Sequence, residues 1–123
     1  MIEESIAPKE SRAHRAAADR ATEYIQAHYT EKFSLEQIAN ALFLNKIYLS
    51  KCFKQATGGT LLQYHNRVRC EKACELLKNP DLSIEIVSDR VGFATPSHFA
   101  RIFRGIYGCS PSEYRKKIRR GEK

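Results

Sequence analysis

The chain has no run approaching the ~18 consecutive apolar residues that a membrane span requires. Its first residues, MIEESIAPKE, lack the pattern of an export signal. Cysteine is scarce. Four in 123 residues do not make a disulfide scaffold, and without export they are expected to be reduced thiols. No convincing strand pair is found. Nor is there a phosphate-cradling glycine loop, a metal-ligand spacing or a nucleophile–base pair, so no enzyme activity, metal or cofactor is expected. The chain reads as soluble and cytoplasmic, with no membrane partner.

What is present fits about one domain, 42% apolar and 28% charged, enough to fill a modest core. The 21 Lys+Arg outnumber the 14 Asp+Glu, for a net charge of +7, and the excess is unevenly spread. Residues 1–45 carry −2, residues 46–98 carry +3 and residues 99–123 carry +6. A basic C-terminal half suits a polyanionic partner, either nucleic acid or an anionic membrane surface.

Helix punctuation recurs along the whole chain and predicts an all-α fold of seven helices. An Ala-rich segment, Ser11–Tyr29, brings Ala18, Ala21 and Ile25 to one side, after a loose arm. Ser34 with Gln37 opens a second helix, and Asn45 caps a third that Gly58–Gly59 stops. Thr60 with Gln63 opens a long helix ending at Asn79–Pro80. Ser83 starts a helix that stops at Gly92. Thr95–Pro96 starts the next, which ends at Gly108, and Ser110-Pro111-Ser112-Glu113 opens the last.

An internal repeat organises these helices. Ser34-Leu35-Glu36-Gln37-Ile38 corresponds to Ser83-Ile84-Glu85-Ile86-Val87 at an offset of 49. After a one-residue insertion, Leu49-Ser50-Lys51-Cys52-Phe53-Lys54 corresponds to Phe99-Ala100-Arg101-Ile102-Phe103-Arg104 at an offset of 50. Each copy is a short helix, a tight turn and a second helix bearing cations, which is what a helix-turn-helix reader needs. The turn of the second copy has Gly92, free to take positive φ. The first copy has Phe43 there, so its turn is either strained or differently shaped.

The residues now carry a resemblance. The run Ile84–Phe93, then Ser97-His98-Phe99-Ala100-Arg101-Ile102-Phe103-Arg104, Tyr107-Gly108 and Ser110–Arg115 resembles the signature of the AraC/XylS family of bacterial transcription regulators. Leu35–Ala39, Tyr48–Lys54, Thr57-Gly58, Tyr64, Arg69 and Ala73 agree with it, so the likeness covers about residues 20–118. It implies two helix-turn-helix subdomains joined by a long bridging helix, binding double-stranded DNA as a monomeric module. The expected division is an arm or linker over 1–12, a first subdomain over 13–59, the bridging helix over 60–79, a second subdomain over 80–118 and a basic tail over 119–123. A Thr60–Lys78 helix would measure about 28 Å. That is of the order needed for two readers to enter successive major grooves about 34 Å apart. Since the two readers differ, the preferred site is expected to be asymmetric.

In the first recognition helix Leu49 and Phe53 should face the core, with Lys46 at the N-terminal tip. By the family pattern Ile47, Ser50 and Lys51 are the base contacts, Ile47 against a thymine methyl and Lys51 on guanine O6/N7, and Lys46 is counted with them. In the second, Phe99 and Phe103 pack inward, while Pro96, Ser97, Ala100 and Arg101 take the groove-facing positions. Only Arg101 among these can make a strong bidentate contact, so this half-site is expected to be read loosely. Backbone contacts are expected from Lys54, Thr60, Gln63, Arg104, Ser110 and Arg115, with the capped amides at Thr60 and Ser110 facing phosphates. Arg69, Glu71 and Glu75 on the bridging helix read as structural ion pairs.

Two other functions compete. Cys70 and Cys74 lie four residues apart near His65, as a thiol-based redox or metal sensor could use. Yet Cys52 and Cys70 stand at apolar family positions, where cysteine behaves as a small hydrophobe. A protein-interaction adaptor would have no need of Lys46, Lys51, Lys54, Arg101 and Arg104. The resemblance leans towards activation through RNA polymerase, although the residues themselves leave activator and repressor open. Residues 1–12 are too short for an effector domain, so the chain is expected to be either a stand-alone regulator or the C-terminal module of a longer protein.

Overall fold

The computed structural model describes residues 8–121. They form α1 (Pro8–His28), α2 (Leu35–Ala41), α3 (Lys46–Thr57), α4 (Leu61–Leu77), α5 (Ile84–Arg90), α6 (Pro96–Tyr107) and α7 (Pro111–Arg119). No strand occurs among the described residues. The order matches the all-α expectation, with shifts at the ends. α1 begins at Pro8, so residues 8–12 form its opening turns instead of an arm, and residues 1–7 lie outside the described residues. Arg119 closes α7 instead of starting a tail, and residues 122–123 also lie outside.

The helix starts follow from side chains that satisfy otherwise unpaired first-turn amides. Ser34 Oγ accepts from Gln37 N–H at 3.1 Å, and Asn45 Oδ1 from Ile47 N–H at 2.8 Å. Thr60 and Gln63 form a reciprocal pair at 2.9 and 3.1 Å. Ser83 and Thr95 each accept at 3.1 Å, and Ser110 with Glu113 completes a second reciprocal cap. α4 holds 17 residues, or about 25 Å. Its end is shorter than expected because Lys78 and Asn79 N–H turn back to Glu75 and Leu76 carbonyls, three residues earlier.

The chain divides into two compact units. The first contains α1 and residues Phe33–His65; the second contains Tyr29–Lys32 and the chain from Asn66 onward. The boundary falls inside α4.

In the first unit, α1 packs against α3. Ala17, Ala18, Ala21 and Ile25 are buried on α1, as are Leu49, Cys52 and Phe53 on α3. The small alanines let the helices approach closely. Two α1 arginines then occupy helix C-termini, where carbonyls lack intrahelical partners. Arg15 Nη2 donates to Ala56 O at 2.7 Å and Arg20 Nη2 to Leu42 O at 2.8 Å.

The second unit has its own core of Cys70, Ala73, Leu77, Val87, Val91, Phe93, Phe99 and Phe103. The Phe99 ring lies 5.3 Å from Phe93 and 5.6 Å from Phe103. Arg69 has other partners than the expected carboxylates. It makes no ion pair with Glu71 or Glu75: its Nε donates to Tyr29 O and its Nη2 to Glu31 O, both at 2.7 Å, and its guanidinium sits over Phe93. The long Arg69 side chain brings two donors to these loop carbonyls. Glu75 pairs with exposed Lys78 instead, at 3.5 Å.

Candidate nucleic-acid interface

Both units build the same corner from different residues. In the first, Phe43 N–H donates to Asn40 O at 3.1 Å and Leu44 N–H to Ala39 O at 2.9 Å. In the second, Gly92 N–H donates to Asp89 O at 3.0 Å and Phe93 N–H to Ser88 O at 3.1 Å. This paired closure is the Schellman ending of a helix, and it requires a left-handed residue at its centre. Gly92 has φ +100° and Phe43 has φ +60°. Of the two expectations for the first turn, strain is the outcome: its hydrogen bonding is that of the second. For a bulky residue the left-handed backbone costs about 1–2 kcal/mol.

Beyond each corner runs a helix with one buried face. On α3, Leu49, Cys52 and Phe53 point inward, leaving Lys46, Ile47, Ser50, Lys51 and Lys54 exposed. On α6, Phe99 and Phe103 are buried; Pro96, Ser97, Arg101 and Arg104 are exposed, and Ala100 is half-buried. Every expected base contact therefore lies on the outward face of its helix, with Ala100 the most recessed.

Each helix also borders a cationic cleft at the start of the next helix. In the first unit, a cleft of about 290 Å³ is lined by Ser50, Lys51, Lys54, Gly59, Thr60 and Leu61. In the second, one of about 390 Å³ is lined by Arg104, Gly108, Cys109, Glu113, Lys116, Lys117 and Arg120. Both set ammonium or guanidinium groups near a helix N-terminus, a favourable place for an anion. The second cleft holds its own carboxylate. Glu113 accepts from Ser110 N–H, and these Ser110 bonds hold its carboxyl below the ordinary range. Arg104 reaches it at 3.5 Å across an exposed edge.

Arg115, expected to hold a phosphate, makes three hydrogen bonds within the second unit. Its Nε donates to Leu77 O at 3.0 Å, and its Nη2 to Asn79 O at 3.1 Å and Leu82 O at 2.6 Å. The guanidinium is thereby committed to the carbonyls that end α4 and follow it. Neither this engagement nor that of Arg69 could be read from spacing, because the acceptors lie more than thirty residues away. Phe43, set opposite a glycine by the repeat, is not among the expected contacts, yet it stands exposed two residues before the cap of α3.

The cysteines are free thiols. Burial pushes Cys70 up to about 12, which suppresses its reactive thiolate. The neighbouring Cys74 thiol, with burial, pushes the Tyr114 hydroxyl up to about 12. No group of three metal-binding side chains occurs among the described residues. Among these residues, no helix is long and apolar enough to cross a membrane.

A family model described as a helix-turn-helix domain matches residues 38–117, which span both corners and both outward helices. The chain belongs to the AraC-type helix-turn-helix family. It is 37% identical over 108 residues to YisR, an uncharacterized HTH-type transcriptional regulator of Bacillus subtilis, covering 88% of this chain and 38% of that protein. It is 38% identical over 93 residues to RhaS of Escherichia fergusonii, an HTH-type transcriptional activator, covering 76% of this chain and 34% of RhaS. Among solved structures, the DNA-binding domain of AdpA, a global transcriptional factor in complex with a target DNA, matches with a TM-score of 0.76. That match has 28% identity and covers 86% of this chain and 97% of the AdpA domain. The chain thus spans little more than a third of these two relatives' length and nearly all of the AdpA domain. What is shared is the DNA-binding module of HTH-type transcriptional regulators.

Proposed function

We propose that this chain binds double-stranded DNA in a sequence-dependent way and thereby controls transcription, with α3 and α6 entering successive major grooves of an asymmetric site. The observation that carries this reading is the doubled motif. Two helices of different sequence each bury one face on their own core and turn exposed cations outward behind the same Schellman corner.

Lys46, Ile47, Ser50 and Lys51 read base edges from α3, and Pro96, Ser97, Ala100 and Arg101 do so from α6. Lys54, Thr60, Gln63, Arg104 and Ser110 hold the backbone beside the two clefts. Arg115 leaves that set for its carbonyl contacts. α3 offers two cations, Lys46 and Lys51, and the large apolar Ile47, whereas α6 offers one cation, Arg101, beside the small Pro96 and Ala100, so the first half-site is the more strictly read. α6 contributes Arg101 and otherwise shape and positioning. Activation follows the family resemblance and the name of RhaS, a transcriptional activator; RNA polymerase as partner and a module acting as a monomer follow the resemblance alone.

The test is selection of duplexes from a random pool at two salt concentrations, followed by sequencing. Two unlike sequence clusters about 10 base pairs apart are expected. A single cluster would remove α6 as a reader. Binding that enriches nothing and disappears as salt rises would reduce the interaction to charge alone and overturn the sequence-specific reading.

A further inference from the structure

Among the described residues, Phe43 is the one non-glycine with positive φ, and it stands outside both recognition helices. Phe43 is 91% exposed while its backbone takes the left-handed conformation that disfavours large side chains. Folding is served by neither property. A glycine would relax the backbone and remove the apolar surface, as Gly92 does at the equivalent place in the second unit. The ring contributes almost nothing to the core of its own unit, so its use lies outside the folded chain.

The surroundings favour one occupant. From Gln37 to His65 the first unit contains no carboxylate, while Lys46, Lys51 and Lys54 fall within that stretch. Phe43 therefore stands in an acid-free, cationic run. It precedes the Asn45 cap of α3 by two residues, and Ile47 on the first turn of that helix is 73% exposed. Exposed apolar side chains just before and within a helix that bears Lys46, Lys51 and Lys54 complement a polyanion with apolar edges better than they do a protein surface. Duplex DNA has such edges in the deoxyribose ring and the thymine 5-methyl group.

We propose that Phe43 is a DNA-contacting residue of the first unit, closing its ring over an apolar edge of the duplex beside the bases that α3 reads. This inference rests on the DNA-binding reading given above. The contact adds affinity at the first half-site and has no counterpart at the second, where Gly92 has no side chain to offer.

The experiment is Phe43→Gly in the full chain, measured by fluorescence anisotropy on the labelled duplex that wild type selects, beside a thermal melt. Covering on the order of 50 Å² of ring corresponds to about tenfold in affinity. The expected result is binding weakened about tenfold by an equally or more thermostable protein. The salt dependence should run parallel to wild type, because no phosphate charge pair is lost. Phe43→Leu should recover part of the loss. Wild-type affinity in Phe43→Gly would overturn the proposal, and so would a shallower salt dependence, which would place the loss in displaced phosphate contacts. Replacing thymine by uracil in the first half-site separates the two edges. Loss by wild type without further loss by Phe43→Gly assigns the methyl group, whereas indifference in both assigns the sugar; each supports the contact. Failure of wild type to bind any selected duplex would overturn the DNA reading and this proposal with it.

Discussion

The two units put the same hydrogen bonds around the same turn and then diverge in what they allow at its centre. At Gly92 a side chain has nowhere to go: an added Cβ would stand 2.6 Å from Thr30 O and 2.8 Å from Thr30 Cα. At Phe43 the equivalent position opens to solvent and carries one of the largest side chains. Positive φ alone thus does not decide the residue. In the second unit a close backbone approach leaves glycine as the fit, and in the first its absence leaves the position free for another use. The outward helices diverge in parallel. α3 presents Ile47, Ser50 and Lys51 where α6 presents Ser97, Ala100 and Arg101, so the repeat keeps its cores and varies its contacts.

The sharpest way to break the comparison is to exchange the turn residues. Gly92→Ala meets both the clash with Thr30 and the backbone strain, and is expected to cost about 3–5 kcal/mol in denaturant unfolding. Phe43→Gly should change stability in the opposite direction, by up to about 1 kcal/mol. Equal effects at the two positions would show that the close approach of Thr30 does not distinguish them.

Next in size come the arginines that hold carbonyls. Arg69→Met leaves Tyr29 O and Glu31 O without their donor and is expected to lose about 2–4 kcal/mol of stability. Arg115→Met, at a less buried place, should lose about 1–3 kcal/mol. The salt dependence of DNA binding by Arg115→Met should match wild type; a shallower one would return Arg115 to the phosphate contacts.

Smaller effects are expected at the reading faces. Lys51→Ala and Arg101→Ala should each weaken binding to the selected duplex by about 1–3 kcal/mol if they touch guanine. Lys51→Ala should relax sequence preference in its own half-site. An equal loss on every duplex would move either residue to the backbone.

The smallest change concerns the thiols. Cys70 is an acid raised by burial from 9 to about 12, so its neutral form is favoured by the fold. The stability this supplies is complete below pH 9 and is lost as pH climbs towards 12. Cys70→Ala should flatten the alkaline limb of a melting-temperature profile. Cys70→Ala and Cys74→Ala should leave DNA affinity at neutral pH unchanged, and a loss dependent on metal or oxidant would overturn the packing role.

Much of the architecture was open to inspection in the linear chain because its signals are local. Ser34, Asn45, Thr60, Ser83, Thr95 and Ser110 each accept from an amide two or three residues ahead, so a cap is legible without any tertiary knowledge. Helical period likewise separated Leu49 and Phe53 from Ile47, Ser50 and Lys51. The 49- and 50-residue offsets revealed two copies of one corner.

The sequence by itself thus determined the seven helices of the described residues, their caps and which helix faces could meet a polyanion, since each depends on neighbours within about two turns, and it showed the repeat by direct comparison of its two copies. Only the tertiary structure decided the partners of Arg69 and Arg115, the helical start at Pro8, and the difference between Gly92 and Phe43. Those outcomes depend on carbonyls and on open space supplied by distant segments. A guanidinium goes to whichever unpaired acceptor the fold brings within reach, and a turn admits a side chain only where no other backbone has taken the room.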